Sequence, residues 1–479
     1  MLHGTKLVSN QGLPRLFATA AHAKSSSNLP EIISETSGDG IKLTCVTSPA
    51  LSTGLARMVA VFSSGARFEE KSSDRGLAHL IRRSFGLSTD KYTAINLTRH
   101  IDQMGARINV IGTREHTIYT VDVAPNLVSR AGYLLAHMAT APAFYEWELK
   151  DVVHPLMKHD IDVVQRRNMG ELGIDLLHEA AFGNHPDGTR LGRSLYSTHD
   201  RLGSYSYEQI KDFLCKSFMP GKCAITVMNM GGGHRHMDPK KMFDEIKSGL
   251  EFHPPQSYTL ANKHDFVGNE VRKDISTCSS THVNLAYHVP GGRKNGAQHL
   301  ALAVAAQAIH GGLHNIRYAD AAGRTSRLAK TVEGSSFEDY LTQCGSFYHS
   351  YSDNGLFGFS IVGSCAKATG ERVANATKAM AELSKSGLTA EEVNRGKSLL
   401  KMVVASKGEN MKHEGVDISL QVLETSAYKN PEQLCAEIDK LTPEAINSVL
   451  KTILGSGKMA MSVVGANTAL IPPLCVLKQ

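Results

Sequence analysis

The chain has 479 residues, room for roughly two to four domains with full-sized cores, and its 42% hydrophobic content is ordinary for a folded protein, so disorder does not describe most of it. Its 52 basic and 46 acidic residues leave a formal charge of +6 that is spread along the chain and gathers into no stripe, which argues against a nucleic-acid binder. Every apolar run is broken by Lys, Arg, Gly or His before it reaches the roughly 18 to 20 residues that cross a bilayer.

Residues 1–30 carry Lys6, Arg15, Lys24 and several serines, with no acidic residue before Glu31, while Leu2, Leu7, Leu13, Leu16 and Phe17 offer an interrupted apolar face. That composition fits a mitochondrial transit peptide better than a secretory signal, which needs a continuous apolar centre. An ordinary flexible tail is the alternative. Arg15-Leu16-Phe17 followed by Ala18 resembles a matrix-processing site, so cleavage is expected after Phe17 or close to it.

The run Gly76-Leu77-Ala78-His79-Leu80-Ile81-Arg82-Arg83 reads as a helix with Leu77, Leu80 and Ile81 facing inward. It has the outline of the inverted zinc motif H-x-x-E-H, in which two histidines four residues apart hold the metal and the glutamate activates water. Only His79 remains. Arg82 stands where the general base would be and Arg83 where the second ligand would be, and a guanidinium neither binds zinc nor accepts a proton at neutral pH. In the metallopeptidases that this motif resembles, the third ligand is a glutamate about 75 to 80 residues further on, which the resemblance would place in a region that here holds His154, Lys158, His159, Asp160 and Asp162 and no glutamate. The expectation is a degenerate motif of His79, Arg82 and Arg83 with no catalytic residue and no metal.

Further along, Gly105 to Val110 and Ile118 to Val121 alternate as two paired strands joined through Thr113-Arg114-Glu115-His116. The pattern returns 240 residues on, from Gly345 to Ser350 and Phe357 to Ile361 around the turn signal Asp353-Asn354-Gly355. Ser206 to Lys222 likewise matches Thr442 to Lys458, each a capped helix, a glycine turn and an apolar strand. Ala181-Phe182-Gly183-Asn184 matches Ala427-Tyr428-Lys429-Asn430, each at the end of a long helical segment. Three matches in one order imply a duplication, and the repeat is too long for a solenoid.

Gly231-Gly232-Gly233 and Pro254-Pro255 bracket a charged stretch that reads as a linker with one short helix. The expected layout is therefore 1–30 transit segment, 40–230 first domain, 231–265 linker and 266–468 second domain. The fold class is α+β, each domain a mixed, mainly antiparallel sheet packed with helices. His234 with His236, and His154 with His159, lack the i, i+4 helix spacing of a ligand pair and read as surface residues. Gly311-Gly312 and Gly457-Lys458 do not complete a phosphate loop, and no G-x-S-x-G elbow occurs. The eight scattered cysteines include no C-x-x-C and read as free thiols in a reducing compartment.

The duplicated halves, the Gly76–Arg83 helix and the Gly105–Val121 strand pair resemble the pitrilysin-like metallopeptidase superfamily, which includes the mitochondrial processing peptidase subunits. The likeness covers roughly residues 40–465. Within it, Tyr351-Ser352-Asp353-Asn354-Gly355-Leu356-Phe357-Gly358 and Leu176-Leu177-His178-Glu179-Ala180-Ala181-Phe182 are most similar to the structural core subunits of mitochondrial respiratory complex III, the ubiquinol-cytochrome c reductase. That likeness implies a non-catalytic subunit, peripheral on the matrix side of the inner membrane, with core protein 1 and other subunits of a dimeric complex as partners and no cofactor of its own. The alternative is the noncatalytic, substrate-recognising subunit of the processing peptidase, marked by a long glycine-rich loop; here the matching His310 to Arg317 has only two glycines. A peptide-binding module would need an acidic groove for basic presequences, which Arg82 and Arg83 disfavour. An active peptidase would need a partner chain to supply the complete motif.

Overall fold

A computed structural model describes residues 31–47, 54–183, 190–228, 238–254, 266–310, 326–332 and 342–478. Phe17 and the rest of the segment expected to be a transit peptide, Gly231 to His236 of the stretch expected to be a linker, and Gly311 to Arg317 lie outside those residues.

The first half contains β1 (Glu31–Thr36), β2 (Lys42–Thr47), β3 (Ala56–Phe62), α1 (Leu77–Ser84), α2 (Ala94–Gln103), β4 (Arg107–Gly112), β5 (Thr117–Val123), α3 (Val128–Thr140), α4 (His154–Arg166), α5 (Met169–Phe182), α6 (Tyr207–Ser217), β6 (Cys223–Met228) and α7 (Pro239–Ser248). The second contains β7 (Glu270–Asp274), β8 (Thr281–Pro290), α8 (Gly296–His310), α9 (Arg327–Val332), β9 (Gln343–Ser350), β10 (Asn354–Gly363), α10 (Ala366–Ser386), α11 (Ala390–Glu409), α12 (Met411–Thr425), α13 (Pro431–Lys440), α14 (Pro443–Leu454) and β11 (Met459–Gly465).

Two mixed sheets result, ordered β1-β2-β6-β3-β5-β4 and β7-β11-β8-β10-β9. Five strands of each repeat the same pairings, with β2–β6 and β7–β11 parallel and the rest antiparallel, and β1 adds an antiparallel edge strand to the first sheet. The molecule is an α+β duplication. The matched segments explain why: Ser206 caps α6 in a capping box with Gln209, and Thr442 caps α14 by accepting from the Ala445 N–H. Each of these helices then turns into an interior strand of its sheet, β6 or β11.

β3 is buried along its whole length, which requires cover on both faces. Ala56, Met58, Ala60 and Phe62 point into the core shared with α1, α3, α6 and α7. Val59 and Val61 point the other way, against Val416, Leu420 and Leu423 of α12. That cover belongs to the other half of the chain. Reciprocally, Leu177, Ala180, Ala181 and Phe182 of α5 pack on Ala286, Leu356 and Ala460 of the second sheet. The exchange is repeated in polar detail: Ser462 on β11 donates to Gly173 O at 2.6 Å, and Ser419 on α12 donates to the equivalent Thr226 on β6 at 2.8 Å. Lys42 Nζ donates to Val422 O and Leu423 O at 3.0 and 2.7 Å, holding the last carbonyls of α12 from the first half.

A buried ion cluster closes the seam between the halves. Arg67, just after β3, donates to both Asp353 oxygens at 2.8 and 2.6 Å and to Glu115 at 2.7 Å. Arg293, at the matching position after β8, reaches back to Glu115 and to Glu424, each at 2.8 Å. Glu115 and Asp353 sit in the turns of the duplicated hairpins, so each half offers an arginine and an acidic turn to the other. Ser352 completes it with N–H and O–H donation to Glu115. The helix in the stretch read as a linker is α7, and its Met242, Phe243 and Ile246 join the first core.

Candidate metal centre

α1 begins at Gly76, whose φ of 88° and closeness to Tyr205 and Ser197 leave no room for a side chain. The buried Glu69 carboxyl accepts from Gly76 N–H and Ala78 N–H at 3.0 and 3.1 Å, satisfying donors of the helix start. Leu77, Leu80 and Ile81 then anchor the helix in the first core, which turns His79 inward with them.

His79 is fully buried, and both ring nitrogens are engaged. Ser197 N–H donates to Nδ1 at 3.2 Å, so the proton sits on Nε2, which donates to Asp160 Oδ2 at 2.9 Å. Burial, aided by the Arg82 and Arg83 charges, holds the ring down at about 4 against the pull of Asp160, so it is neutral at physiological pH. Arg83 binds both Asp160 oxygens through Nε and Nη2. Burial alone would raise the Asp160 carboxyl, but its bonds to His79 and Arg83 outweigh burial and hold it at about 2. Arg82 lies over the Tyr196 ring, 5.5 Å from its centroid, and packs on β4 at Gly112, where a Cβ would meet its Nη1 at 2.4 Å.

Helix position and burial place the three motif residues together, and the carboxylate that meets them is Asp160 on α4, from the region where a third ligand was sought. The set does not fit a zinc ion. His79 has no free lone pair, both Asp160 oxygens hold a guanidinium, and Arg83 occupies the second-ligand position with a cation. Arg83 instead neutralises Asp160 as a metal would. Sequence spacing alone missed this ion pair; the acidic residue in the third-ligand region was its only signal.

Beside Tyr196 a cavity of about 360 Å³ opens between the halves, bordered by Arg114, Glu171, Asp175, His178, His349 and Tyr351 among others. Most of these groups are already paired. Arg114 donates to Asp175 at 2.6 Å, Tyr196 donates to Glu171, and Tyr351 donates to His178 Nε2 at 2.6 Å while His178 Nδ1 donates to Ile174 O at 2.7 Å. Burial pushes Tyr351 up to about 12, holds His349 at about 4 and keeps His178 well below its usual value. None of the three is poised near neutrality for general acid–base work.

Among the described residues, one group of three potential ligands lies close enough for an ion, Glu115, His116 and Glu424. Glu115 and Glu424 already hold Arg67 and Arg293, and burial keeps His116 at about 4. Sequence reading missed this cluster too, although Arg67 and Arg293 follow the equivalent strands β3 and β8, a signal the repeat could have supplied.

Comparison with known proteins agrees with the duplication. Residues 45–198 match the family model described as Insulinase (Peptidase family M16), and residues 234–400 match the model described as Peptidase M16 inactive domain. The chain is 26% identical over 410 residues to the mitochondrial cytochrome b-c1 complex subunit 2 of Homo sapiens, covering 85% of each chain. It is 25% identical over 427 residues to the mitochondrial-processing peptidase subunit alpha of Solanum tuberosum, covering 88% of this chain and 79% of the relative. To the mitochondrial-processing peptidase subunit beta of Bos taurus it is 24% identical over 459 residues, 94% of this chain and 88% of that one. With both of its halves matched, the chain belongs to peptidase family M16.

Proposed function

We propose that this chain is core subunit 2 of the mitochondrial ubiquinol-cytochrome c reductase complex, a non-catalytic structural subunit that supports assembly and stability of the redox subunits. In this reading it pairs with core protein 1, sits peripherally on the matrix side of the inner membrane, carries no cofactor and belongs to a complex that is itself dimeric. The observation that carries it is the closed set of His79, Asp160 and Arg83, which fills the place of a metal with a guanidinium. Likeness to cytochrome b-c1 complex subunit 2 of human, mouse and fission yeast supports the assignment. Among the described residues no helix is long and apolar enough to cross a membrane, in keeping with attachment through partners. The domain limits proposed are 40–230 and 266–468 around a 231–265 linker, after a transit segment of 1–30 cut near Phe17.

The second reading, the substrate-recognising subunit of the processing peptidase, is favoured by the likeness to the potato subunit alpha. Against it, Arg82 puts positive charge where a basic presequence would approach, Arg83 being neutralised by Asp160, and His310 to Arg317 has only two glycines where that subunit has a glycine-rich loop. Native electrophoresis of mildly solubilised mitochondria, with immunodetection of this chain and haem staining of the same lane, separates the two. Comigration with b- and c-type haem is expected; a haem-free heterodimer that cleaves presequences overturns the assignment.

A further inference from the structure

Among the described residues, four of the thirteen large apolar side chains that stand exposed fall within one segment, Tyr145, Trp147, Val152 and Leu156. Trp147 is the only tryptophan of the chain, is 60% exposed, and stacks on Tyr145 with ring centroids 6.4 Å apart. Their alignment comes from a π-helical turn, Leu149–Val153. Such a turn closes i to i+5 hydrogen bonds, so residues five apart stack, and Val152 falls beneath Trp147. The ordinary α-helical step of four then sets Leu156 beneath Val152. The inner side of the same segment fixes this orientation: Val153 and Met157 are buried in the first core, and the buried Glu148 accepts from the Ser88 hydroxyl at 2.6 Å. The outcome is a rigid apolar stripe held outward.

Charge decides what covers it. Glu146 and Lys158 are both exposed, lie six residues to either side of Val152, and form no ion pair with any described residue. The exposed part of the segment carries Glu146 and Asp151 against Lys150 and Lys158, a balanced set unlike the basic surface that an anionic membrane attracts. If two copies of the stripe cross antiparallel about Val152, each Glu146 faces the other copy's Lys158 and each Trp147 lies over the other copy's Leu156. We propose that this face is a self-association surface on which two copies of the chain meet about a two-fold axis through Val152. This does not depend on the function assigned above. A single stripe buries less than the roughly 1,200 Å² of a stable interface, so the isolated chain dimerises only at high concentration, and other contacts would have to reinforce it in an assembly.

The test uses the purified full chain in sedimentation velocity over a concentration series, with tryptophan emission and acrylamide quenching read in parallel. Expected are a monomer with red-shifted, readily quenched emission at low concentration and a dimer with blue-shifted, protected emission at high concentration. Trp147→Glu should weaken the dimer about thirtyfold or more, the range for a central interface tryptophan, and keep the parent's circular dichroism. Glu146→Lys and Lys158→Glu should each weaken it, and the double variant should restore it. A monomer at every concentration, a dimer indifferent to Trp147→Glu, no rescue by the double variant, or a blue shift that anionic vesicles cause and self-association does not, would each overturn the proposal.

Discussion

Two charge clusters built from the same ingredients do different work in this molecule. The cluster of His79, Asp160 and Arg83 ties α1 to α4 within the first half, and its Arg83 side chain remains 39% exposed. The cluster of Arg67, Glu115, Arg293 and Asp353 joins residues up to 286 apart in the chain, and its Arg67 side chain is completely buried. The comparison separates inheritance from architecture. Where a peptidase of this family would work on a substrate, the chain keeps a local brace; what holds the two halves as one body is a reciprocal exchange of arginines, turn carboxylates and long helices.

If that contrast is right, breaking the seam must cost far more than breaking the brace. Arg67→Ala strands Asp353 in the interior, leaves Glu115 to Arg293 and Ser352, and should lower unfolding free energy by about 3–5 kcal/mol in denaturant titration. A loss under about 1 kcal/mol would put the seam on a level with a surface ion pair. Acid comes next, because each cluster holds one buried neutral histidine, His79 or His116, held at about 4 against an ordinary value of 6.5. Their folded-state values are depressed, so the unfolded chain binds more protons between pH 6.5 and 4, and stability falls as the pH drops through that window. Each site contributes up to about 1.4 kcal/mol per pH unit, and exchanging His79 for Gln should flatten the slope measured by thermal melts. Asp160→Ala leaves the buried His79 N–H without its acceptor, a loss of about 1–3 kcal/mol. Arg83→Ala, at the half-exposed rim, should cost no more than about 1 kcal/mol. Equal losses for Arg83→Ala and Arg67→Ala would erase the distinction.

Much of the fold could be read from local pattern. Alternation located β4, β5, β9 and β10, and the caps at Ser206 and Thr442 located α6 and α14, because these signals reside within a few residues of one another. The repeat then implied two equivalent sheets. It did not reveal that α5 and α12 cross over to the opposite sheet: their apolar faces look like any amphipathic helix, and only the doubly buried β3 hints that a second layer is required. The site was half legible. His79, Arg82 and Arg83 stood out against a known spacing, whereas the bond from His79 to Asp160 spans 81 residues and that from Arg67 to Asp353 spans 286, distances at which periodicity carries no information.

The most direct test of the central claim, that a guanidinium has taken the place of the metal and the chemistry with it, is zinc content by mass spectrometry on the purified chain, read beside hydrolysis of a fluorogenic presequence peptide. The prediction is zinc at background after dialysis and no cleavage above buffer. One zinc per chain, together with hydrolysis lost on His79→Ala, would contradict it.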